Sequence, residues 1–501
     1  MNQALEYFSI GWMDPQLFLL TAIGTFAGIY IGAIPGLSVT MAVSILISFT
    51  FSWDVNEALA LMAGVFMGGV YGGSRTAILL NIPGAPSALV TALDGYPLAL
   101  KGDAGRAIGL STVMSFIGGL VGILILIIAA PIISNFTLAF APRDYFLLAA
   151  LGLFLVGSLS AESLSKGMFC GALGVLLGMV GLDPLTAEER FTFDSLELTS
   201  GIPYIAAMIG FFGFAEILVQ LHHLDVKPVR QNLDKILPSL SRVKKYLPLS
   251  LRTSSIGVIV GALPGTGGDI ASLLAYDHAK RSVKSPTAKF GEGAEEGLIA
   301  AETANNAAVG GAYIPMLTLG MPGDAVTAVI IGALFIHGIQ PGPLMLTETP
   351  HLFWFTVGNL TLANLFVLIF GLTGISIFSR IVQCPKGILL PLIFVLCVVG
   401  TYAIQNSLID VYWMLGCGFF GYFLKRYGFQ VAPIILGIIL GPLMDVSFRR
   451  AALSVQNDIN QLLWEFVSNP VSLVLTSAIF VLLITSVIKS RQKQPSSELN
   501  R

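Results

Sequence analysis

The chain has 501 residues, of which 55% are hydrophobic and only 11% are charged. Soluble globular domains carry about a quarter charged residues, so this composition excludes an ordinary soluble protein and indicates a polytopic membrane protein. The formal net charge of −2 does not set an orientation, because orientation in the bilayer follows the local placement of Lys and Arg.

Long runs without charge predict the membrane-spanning segments, since a hydrocarbon core about 30 Å thick needs about 20 apolar residues in a helix. Long runs occupy residues 17–53, 107–142, 198–215, 352–379, 387–409 and 466–488, and shorter ones occupy residues 145–161, 167–182, 411–424 and 427–444. We predict an all-α fold with about 10–12 transmembrane segments. They lie between an N-terminal tail, residues 1–16, and a C-terminal tail, residues 489–501.

A Pro-Gly motif interrupts the first of these runs. Residues 32–36 read Gly-Ala-Ile-Pro-Gly, and the motif continues into Ser38 and Thr40. Proline removes a backbone donor and glycine permits positive φ, so the pair ends a helix and leaves backbone groups unpaired. At membrane depth such groups must be satisfied by protein, solute, ion or water. The break is therefore a candidate binding site.

The second half of the chain repeats the order of motifs found in the first half. Residues 72–87 are too rich in glycine and proline for an uninterrupted span and predict a re-entrant hairpin or a second broken helix. Residue 261 opens a copy of the first motif 229 positions after residue 32, and Pro322-Gly323 follows Pro83-Gly84 by 239 positions. We therefore predict an internal duplication, with transmembrane repeats at residues 17–221 and 253–488.

Basic residues predict the orientation of the two repeats. The segment between them, residues 222–252, carries seven Lys and Arg against two Asp and is expected to be a cytoplasmic loop. The C-terminal tail is also basic at its start and is expected in the cytoplasm. No Lys or Arg precedes Arg75, so the first repeat should begin on the other side. This asymmetry predicts inverted-topology repeats whose breaks meet near the bilayer midplane.

Five stretches resemble one known family, the large membrane subunit (TctA family) of the tripartite tricarboxylate transporters. They are Gly-Ala-Ile-Pro-Gly at 32–36, Asn-Ile-Pro-Gly to Asp-Gly-Tyr-Pro at 81–97, residues 261–269, residues 291–323 with Asn305-Asn306, and residues 183–203 with Arg-Phe-Thr-Phe. The resemblance covers nearly the whole chain. It implies a bacterial inner-membrane importer that works with a small membrane subunit and a periplasmic solute-binding protein. It also implies a carboxylate solute such as citrate, without fixing which one.

The two Pro-Gly breaks predict where an anionic solute binds. Half-helix N-termini offer free N–H groups and about 0.3–1 kcal/mol of dipole attraction each. The candidate substrate-binding residues are those at or just after the breaks: Pro35, Gly36, Ser38, Thr40, Pro83, Gly84, Ser87, Gly265, Thr266, Gly267, Gly268, Pro322, Gly323 and Thr327. For each hydroxyl the alternative is a helix cap that does not touch solute.

Ionisable residues at membrane depth are costly and by default indicate function. Asp269 and Glu302 are candidates to carry a proton or to bind Na⁺. Thr303, Asn305 and Asn306 offer neutral oxygens to the same ion. No cofactor or metal is predicted other than this coupling ion, Na⁺ or H⁺.

Arg75 has two interpretations from sequence. It could bind a carboxylate through its bidentate guanidinium, or it could mark the cytoplasmic rim of its helix. Glu292, Glu295 and Glu296 are expected at a hydrated helix start.

The leading hypothesis is an ion-coupled secondary transporter and not an enzyme. One alternative is an intramembrane aspartyl protease, because Gly267-Gly268-Asp269 is close to a Gly-x-Gly-Asp pattern. The first motif has Thr40 where the second has Asp269, so a symmetric catalytic pair is missing. The other alternative is a passive anion channel, which two closed hairpins disfavour. The chain has no Gly-x-x-x-x-Gly-Lys-Ser/Thr loop, so ATP is not expected to drive it directly.

Overall fold

A computed structural model describes residues 2–34, 37–81, 83–159, 164–221, 236–374 and 386–492. The first helices are α1 Asn2–Met13, α2 Pro15–Ala33, α3 Val39–Thr50, α4 Val55–Leu80, α5 Ala88–Leu98, α6 Ala104–Thr137, α7 Pro142–Leu159 and α8 Leu164–Gly178. Strands β1 Gly181–Leu182 and β2 Glu189–Arg190 then pair antiparallel, and helices α9 Leu196–Thr199, α10 Tyr204–Met208 and α11 Ala215–Gln220 follow. A π-helical turn, Ile209–Phe214, joins α10 to α11.

The second half of the chain is also helical in its described parts. Its helices are α12 Leu240–Gly261, α13 Gly267–Ser282, α14 Glu295–Leu319, α15 Ala325–Ile336, α16 Met345–Glu348, α17 Pro350–Thr373, α18 Lys386–Gln405, α19 Leu408–Arg426, α20 Ala432–Ser454, α21 Ile459–Ser468 and α22 Pro470–Gln492. The basic segment predicted to be a loop thus contributes residues 240–252 to the start of α12, while residues 222–235 lie outside the described residues.

Six helical segments in the described ranges are long and apolar enough to cross a membrane, and the number rises to seven if the bent pair α21–α22 is one span. The prediction of an all-α polytopic membrane protein is confirmed. The number is below the 10–12 segments expected from sequence because several apolar helices are short. The 12 residues of α3, for example, extend only about 18 Å.

Small residues bring the backbones of α2 and α4 into contact. A Cβ atom added to Gly28 would lie 2.5 Å from the carbonyl oxygen of Val65. One added to Gly32 would lie 2.1 Å from the carbonyl oxygen of Gly69. Because lipid is as apolar as the helices, such close packing is what holds membrane helices together. The partner's number rises with the glycine's number, so α2 and α4 run parallel.

The same seam of small residues recurs between α12 and α14. A Cβ added to Gly257 would lie 2.3 Å from the carbonyl oxygen of Ala304, and one added to Gly261 would lie 2.4 Å from that of Ala308. These glycines follow their counterparts in α2 by 229 positions, and their partners follow those in α4 by 239 positions. The offsets are those of the sequence motifs, so the duplicated motifs occupy matching structural positions.

The parallel seams show what happens at the Pro-Gly motifs. Because α2 and α4 run parallel, α3 between them must return the chain toward the end where α2 begins. A Cβ added to Gly69 would lie 2.5 Å from a methyl group of Val39, which places the start of α3 beside the middle of α4. The first motif therefore separates the arms of a re-entrant helical hairpin, not two parts of one broken span. Helices α12 and α13 form the equivalent hairpin.

The second break of each repeat follows a continuous helix. Helix α4 runs without interruption through Gly72 and Gly73, because these glycines serve the close packing of α2 against it. It ends at Leu80. Asn81 ends it in the left-handed conformation, with φ of 55°. In the second repeat, Gly320 ends α14 in the same way, with φ of 69°. The interruption predicted over residues 72–87 is thus confined to residues 81–87.

Helix α6 contacts both repeats. It runs parallel to α14, since added Cβ atoms on Gly118 and Gly122 would contact the carbonyl groups of Thr303 and Ala307. Its C-terminal half carries a stripe of exposed apolar side chains at a spacing of four residues: Leu124, Ile128, Ile132 and Phe136. This stripe faces the surroundings, whereas the N-terminal half of α6 is largely buried.

Candidate solute and ion site

The two breaks of each repeat pack against each other. A Cβ atom added to Gly84 would lie 2.0 Å from the carbonyl oxygen of Gly32. In the second repeat, a Cβ added to Gly323 would lie 2.7 Å from that of Gly261, and the Gly265 N–H donates to the Gly323 carbonyl at 2.7 Å. The two Pro-Gly motifs of each repeat therefore form one structural unit.

The two repeats also touch each other at their breaks. The break between α4 and α5 contacts the break between α12 and α13. The backbone N–H of Ser87 donates to Oδ1 of Asp269 at 2.9 Å. Oδ1 of Asn305 lies above Gly268, where an added Cβ would be only 2.1 Å away, and its Nδ2 donates to the Val70 carbonyl at 3.2 Å. Asn305 thus connects the start of α13 with the middle of α4.

Two carboxylates lie at the break between α12 and α13. Asp269 is in the first turn of α13 and is exposed. Asp324 caps α15, accepting from the Thr327 N–H at 2.8 Å, and a Cβ on Gly267 would lie 3.3 Å from its Cβ. Sequence reasoning did not select Asp324 as a site residue. Its place directly after Pro-Gly and three residues before Thr327 is a helix-capping pattern that could have identified it.

The backbone of the α12–α13 turn depends on glycine. Gly265 has φ of 79° and Gly267 has φ of 55°, conformations that favour glycine over any residue with a Cβ. Thr266 lies between them, is buried, and donates its hydroxyl to the Leu263 carbonyl at 2.9 Å. Its hydroxyl thus closes the end of α12.

Other predicted hydroxyls also make local contacts. Ser38 accepts from the Met41 N–H at 3.0 Å as the N-cap of α3, and Thr327 forms a capping box with Asp324. The helix-capping alternative therefore describes both side chains. Thr40 is half-buried in the first turn of α3. The two predicted residues Pro35 and Gly36 lie outside the described residues.

Glu302 lies in a separate polar pocket beside the breaks. Its carboxylate is fully buried and accepts hydroxyl hydrogen bonds from Ser111 at 3.0 Å, from Ser115 at 2.8 Å and from Thr91. These donors come from α5 and α6 and are far from Glu302 in sequence, so no local pattern could have revealed them. The pocket offers neutral donors to one buried acid.

Three further predicted residues lie around these two clusters. Thr303 faces α12, where its hydroxyl pairs with that of Thr253 at 2.6 Å. Asn306 is fully buried and donates Nδ2 to the Glu302 carbonyl of its own helix at 3.1 Å. Arg75 is also buried and donates to the Phe370 carbonyl at 3.1 Å, near the C-terminus of α17. It therefore lies in the protein interior and not at a rim.

The expectation of a hydrated helix start is confirmed for Glu292, whose side chain is 62% exposed, but it is wrong for Glu295 and Glu296. Glu295 and Glu296 are only 3% and 4% exposed. The hydroxyl of Tyr246 donates to Glu295 at 2.7 Å, and the N–H of Thr287 donates to Glu296 at 3.0 Å. Helix α12 and the loop before α14 cover both side chains, which local sequence could not indicate.

Apolar membrane-crossing helices, re-entrant hairpins and polar groups gathered at their breaks define a membrane transport protein. The chain matches the model of the tripartite tricarboxylate transporter TctA family over residues 18–436, and it belongs to that family. This confirms the resemblance seen in the sequence. A transporter family that is named for a tripartite system implies further subunits and is consistent with the prediction that the chain is not an enzyme.

Two curated relatives from Agrobacterium vitis carry no assigned function. An uncharacterized 52.8 kDa protein in the TAR-I ttuC' 3' region is 37% identical over 98% of this chain and 99% of its own length. An uncharacterized protein in the TAR-II ttuC' 3' region is 38% identical over 47% of this chain and 95% of its own length. No solved structure matches the chain.

Proposed function

We propose that this chain is the large permease subunit of a binding-protein-dependent tripartite transporter in a bacterial inner membrane. It takes up a carboxylate solute such as citrate by ion-coupled secondary transport. Its partners are a small membrane subunit and a periplasmic solute-binding protein. The solute binds between the Pro-Gly breaks, and Na⁺ or H⁺ supplies the driving force.

The observation that carries the proposal is the contact between breaks of different repeats. The Ser87 N–H on Asp269 joins the start of α5 to the start of α13. The N-termini of α5 and α13 therefore meet in one region, where the positive ends of the two helix dipoles favour an anion. Glycines at 84, 268 and 323 allow the close packing that brings the breaks together.

The carboxylates of the site support cation coupling. Asp269 and Asp324 lie at one break, and Glu302 is hydrogen-bonded to neutral hydroxyls. Burying a carboxylate among neutral groups at membrane depth is costly unless it takes up a proton or binds a cation. A cation bound here would also offset the repulsion between these acids and an arriving carboxylate.

Antiparallel packing of equivalent helices supports inverted repeats. The ring of Phe66 on α4 lies near that of Tyr313 on α14, with centroids 6.0 Å apart, and further along α4 the Val70 carbonyl accepts from Asn305. The position on α14 falls as the position on α4 rises, so these equivalent helices cross antiparallel. Helices α6 and α17 also cross antiparallel, since Thr112 lies beside Gly371 and the Phe116 carbonyl accepts from Asn364.

Transport by the reconstituted system tests the function. Proteoliposomes containing this chain with its small subunit and binding protein would be loaded and diluted to impose a Na⁺ gradient or a pH gradient separately. We expect citrate or another carboxylate to accumulate with only one of the gradients, and a neutral analogue not to accumulate. Accumulation without any gradient-dependent step would instead support the passive channel.

A further inference from the structure

A second candidate site lies apart from the breaks. A cavity of about 630 Å³ opens between α7, α8, α14 and α20, and the turn before α10 completes its wall. Its size is within the range of small-molecule sites, which is roughly 300–1,000 Å³. None of the residues predicted for the solute site lines it, so its chemistry must be considered separately.

The cavity wall combines apolar surface with one cation. The hydroxyls of Tyr145 and Tyr204 both face backbone carbonyls, those of Thr137 and Gly332, so the rings serve as wall. Arg450 supplies the charge and is exposed. Within the described part of the chain, its guanidinium forms no ion pair and no hydrogen bond with another residue.

The neighbouring arginine shows what a paired guanidinium looks like at this position. Arg449 donates to Asp183 at 2.6 Å and to Asp445 at 2.8 Å. Asp445 also accepts from Arg190 at 2.9 Å. The acids at this end of α20 are therefore occupied by other arginines, and the charge of Arg450 is left for a ligand. An open cavity with one free guanidinium favours an anion, and a carboxylate matches the planar fork.

The floor of the cavity adjoins the second repeat's breaks. Leu319, Gly320 and Leu440 line the cavity. Leu440 packs in one apolar cluster with Met321, the residue directly before Pro322. A Cβ added to Gly152 on α7 would lie 3.6 Å from the Met321 sulfur and 3.7 Å from Cβ of Pro264. A single apolar layer thus lies between the cavity and both Pro-Gly turns of that repeat.

The cavity is at the end of the molecule remote from the basic segment. Helices α12 and α14 run parallel, and the start of α14 lies near Tyr246, within the basic segment. The end of α14, Leu319, lines the cavity. If the basic segment is cytoplasmic, the cavity opens to the side from which a binding protein would deliver solute.

We propose that this cavity is an entry site for the carboxylate solute, with Arg450 as its charge partner and the layer of Met321 and Leu440 as the barrier to the breaks. The proposal rests on the proposed function. The solute would bind here after delivery and pass to the breaks when the apolar layer opens.

Equilibrium binding to the purified chain tests the entry site separately from transport. The chain in lipid nanodiscs would be dialysed against radiolabelled citrate, without a gradient or partner subunits. We expect Arg450→Gln to weaken binding by about tenfold, since a charge-assisted contact is lost. Arg281→Gln is the matched control, because Arg281 is exposed on α13 and, among the described residues, pairs with Asp277 of its own helix. Its affinity should equal that of the unmodified chain.

The outcomes separate the two proposals. If the unmodified chain binds citrate and Arg450→Gln binds it equally well, the entry site is wrong and the proposed function stands. If the unmodified chain binds neither citrate nor another carboxylate, the carboxylate function itself fails, and the entry site fails with it.

Charge rescue gives an independent readout. Arg450→Cys would be made in a variant whose native cysteines are replaced, and it would be treated with membrane-impermeant thiol reagents. A cationic reagent should restore citrate binding, an anionic one should not, and bound citrate should slow both modifications. Equal effects of the two reagents would show that the charge at this position is irrelevant.

Discussion

Gly268 is a position at which the site tolerates little change. A Cβ there would overlap Oδ1 of Asn305, while its helical backbone would otherwise accept alanine. We expect Gly268→Ala to displace the Asn305 side chain and to lower the initial uptake rate by about tenfold to a hundredfold, as misplacement by about 1 Å can do. The rate would be measured in proteoliposomes at equal protein abundance.

The matched control for this substitution is Gly416→Ala. Gly416 lies inside α19, and no atom lies within 4 Å of an added Cβ. It should leave both abundance and uptake unchanged. Unaltered uptake by folded Gly268→Ala would remove Asn305 from the site.

Glu302 is the residue that most directly tests proton coupling. Glu302→Gln keeps the shape and the acceptor oxygen that Ser111 and Ser115 require, but it cannot exchange a proton. We expect uptake to lose its response to an imposed pH gradient while the protein remains folded. Glu292→Gln, on an exposed side chain in the preceding loop, should respond as before. A full pH response in Glu302→Gln would remove Glu302 from proton coupling and shift that role toward another acid such as Asp269.

Among the elements, the β1–β2 hairpin depends on a buried ion-pair cluster. The side chain of Asp183 is only 2% exposed and accepts from Arg190 and Arg449. The hydrogen bond from Arg449, together with the backbone N–H groups of Leu185 and Thr186, holds its pKa well below the usual range. Its pKa in the unfolded chain is about 3.9. Because the folded value is lower, the stabilisation is present above about pH 4 and is lost as the pH falls toward the folded value.

Asp183→Asn should therefore lower the melting temperature at pH 7 and have a smaller effect at acidic pH. Thermal unfolding in detergent at several pH values would measure the difference. Asp277→Asn removes an exposed pair within one helix and should change little at any pH. A pH-independent loss in Asp183→Asn would mean that packing, not charge, fixes the hairpin.

The sequence located the interruptions in the helices but not their shape. Proline and glycine mark where a helix can end, so the positions at 32–36, 261–265 and 320–323 could be read directly. The interruption predicted over 72–87 began too early, because Gly72 and Gly73 are part of the continuous helix α4. Whether the chain then continues or returns depends on the packing partner of α2. That partner is set by small residues on two helices, and the seam between Gly28 and Val65 exists only once both have folded.

The site was predictable to a similar extent. Asp269 and Asn305 both lie within the sequence motifs, and the structure places Asp269 against Ser87 and Asn305 against Gly268. The hydroxyls around Glu302 belong to α5 and α6, and Arg450 lies near the end of α20, outside every sequence motif. Contacts between distant helices leave no periodic signal in a single sequence.

For the whole molecule, the helix directions predict the sidedness of the chain. Helix α2 is parallel to α4, α4 is antiparallel to α14, and α14 is parallel to α12. The N-terminal end of α2 and the basic start of α12 should therefore face opposite sides. In a variant without native cysteines, a cysteine at Glu6 should react with an impermeant reagent from outside, and one at Lys244 only from inside. Reaction of both from one side would contradict inverted repeats.

Helix α6 is longer than the bilayer it crosses. It has 34 residues and is about 51 Å long, against about 30 Å of hydrocarbon. Tilt alone would have to reach about 54°, beyond the usual range of roughly 0–40°. Other helices cover most of the first half of α6, so lipid contacts mainly the stripe from Leu124 to Phe136. This stripe is about 18 Å long, which is close to the depth of one leaflet.

That leaflet is the one beside the cavity, because Ser134 on the same half of α6 donates to the carbonyl of Pro343 in the cavity wall at 2.7 Å. A change in acyl-chain length in this leaflet should therefore change the shape of the cavity before it affects the breaks.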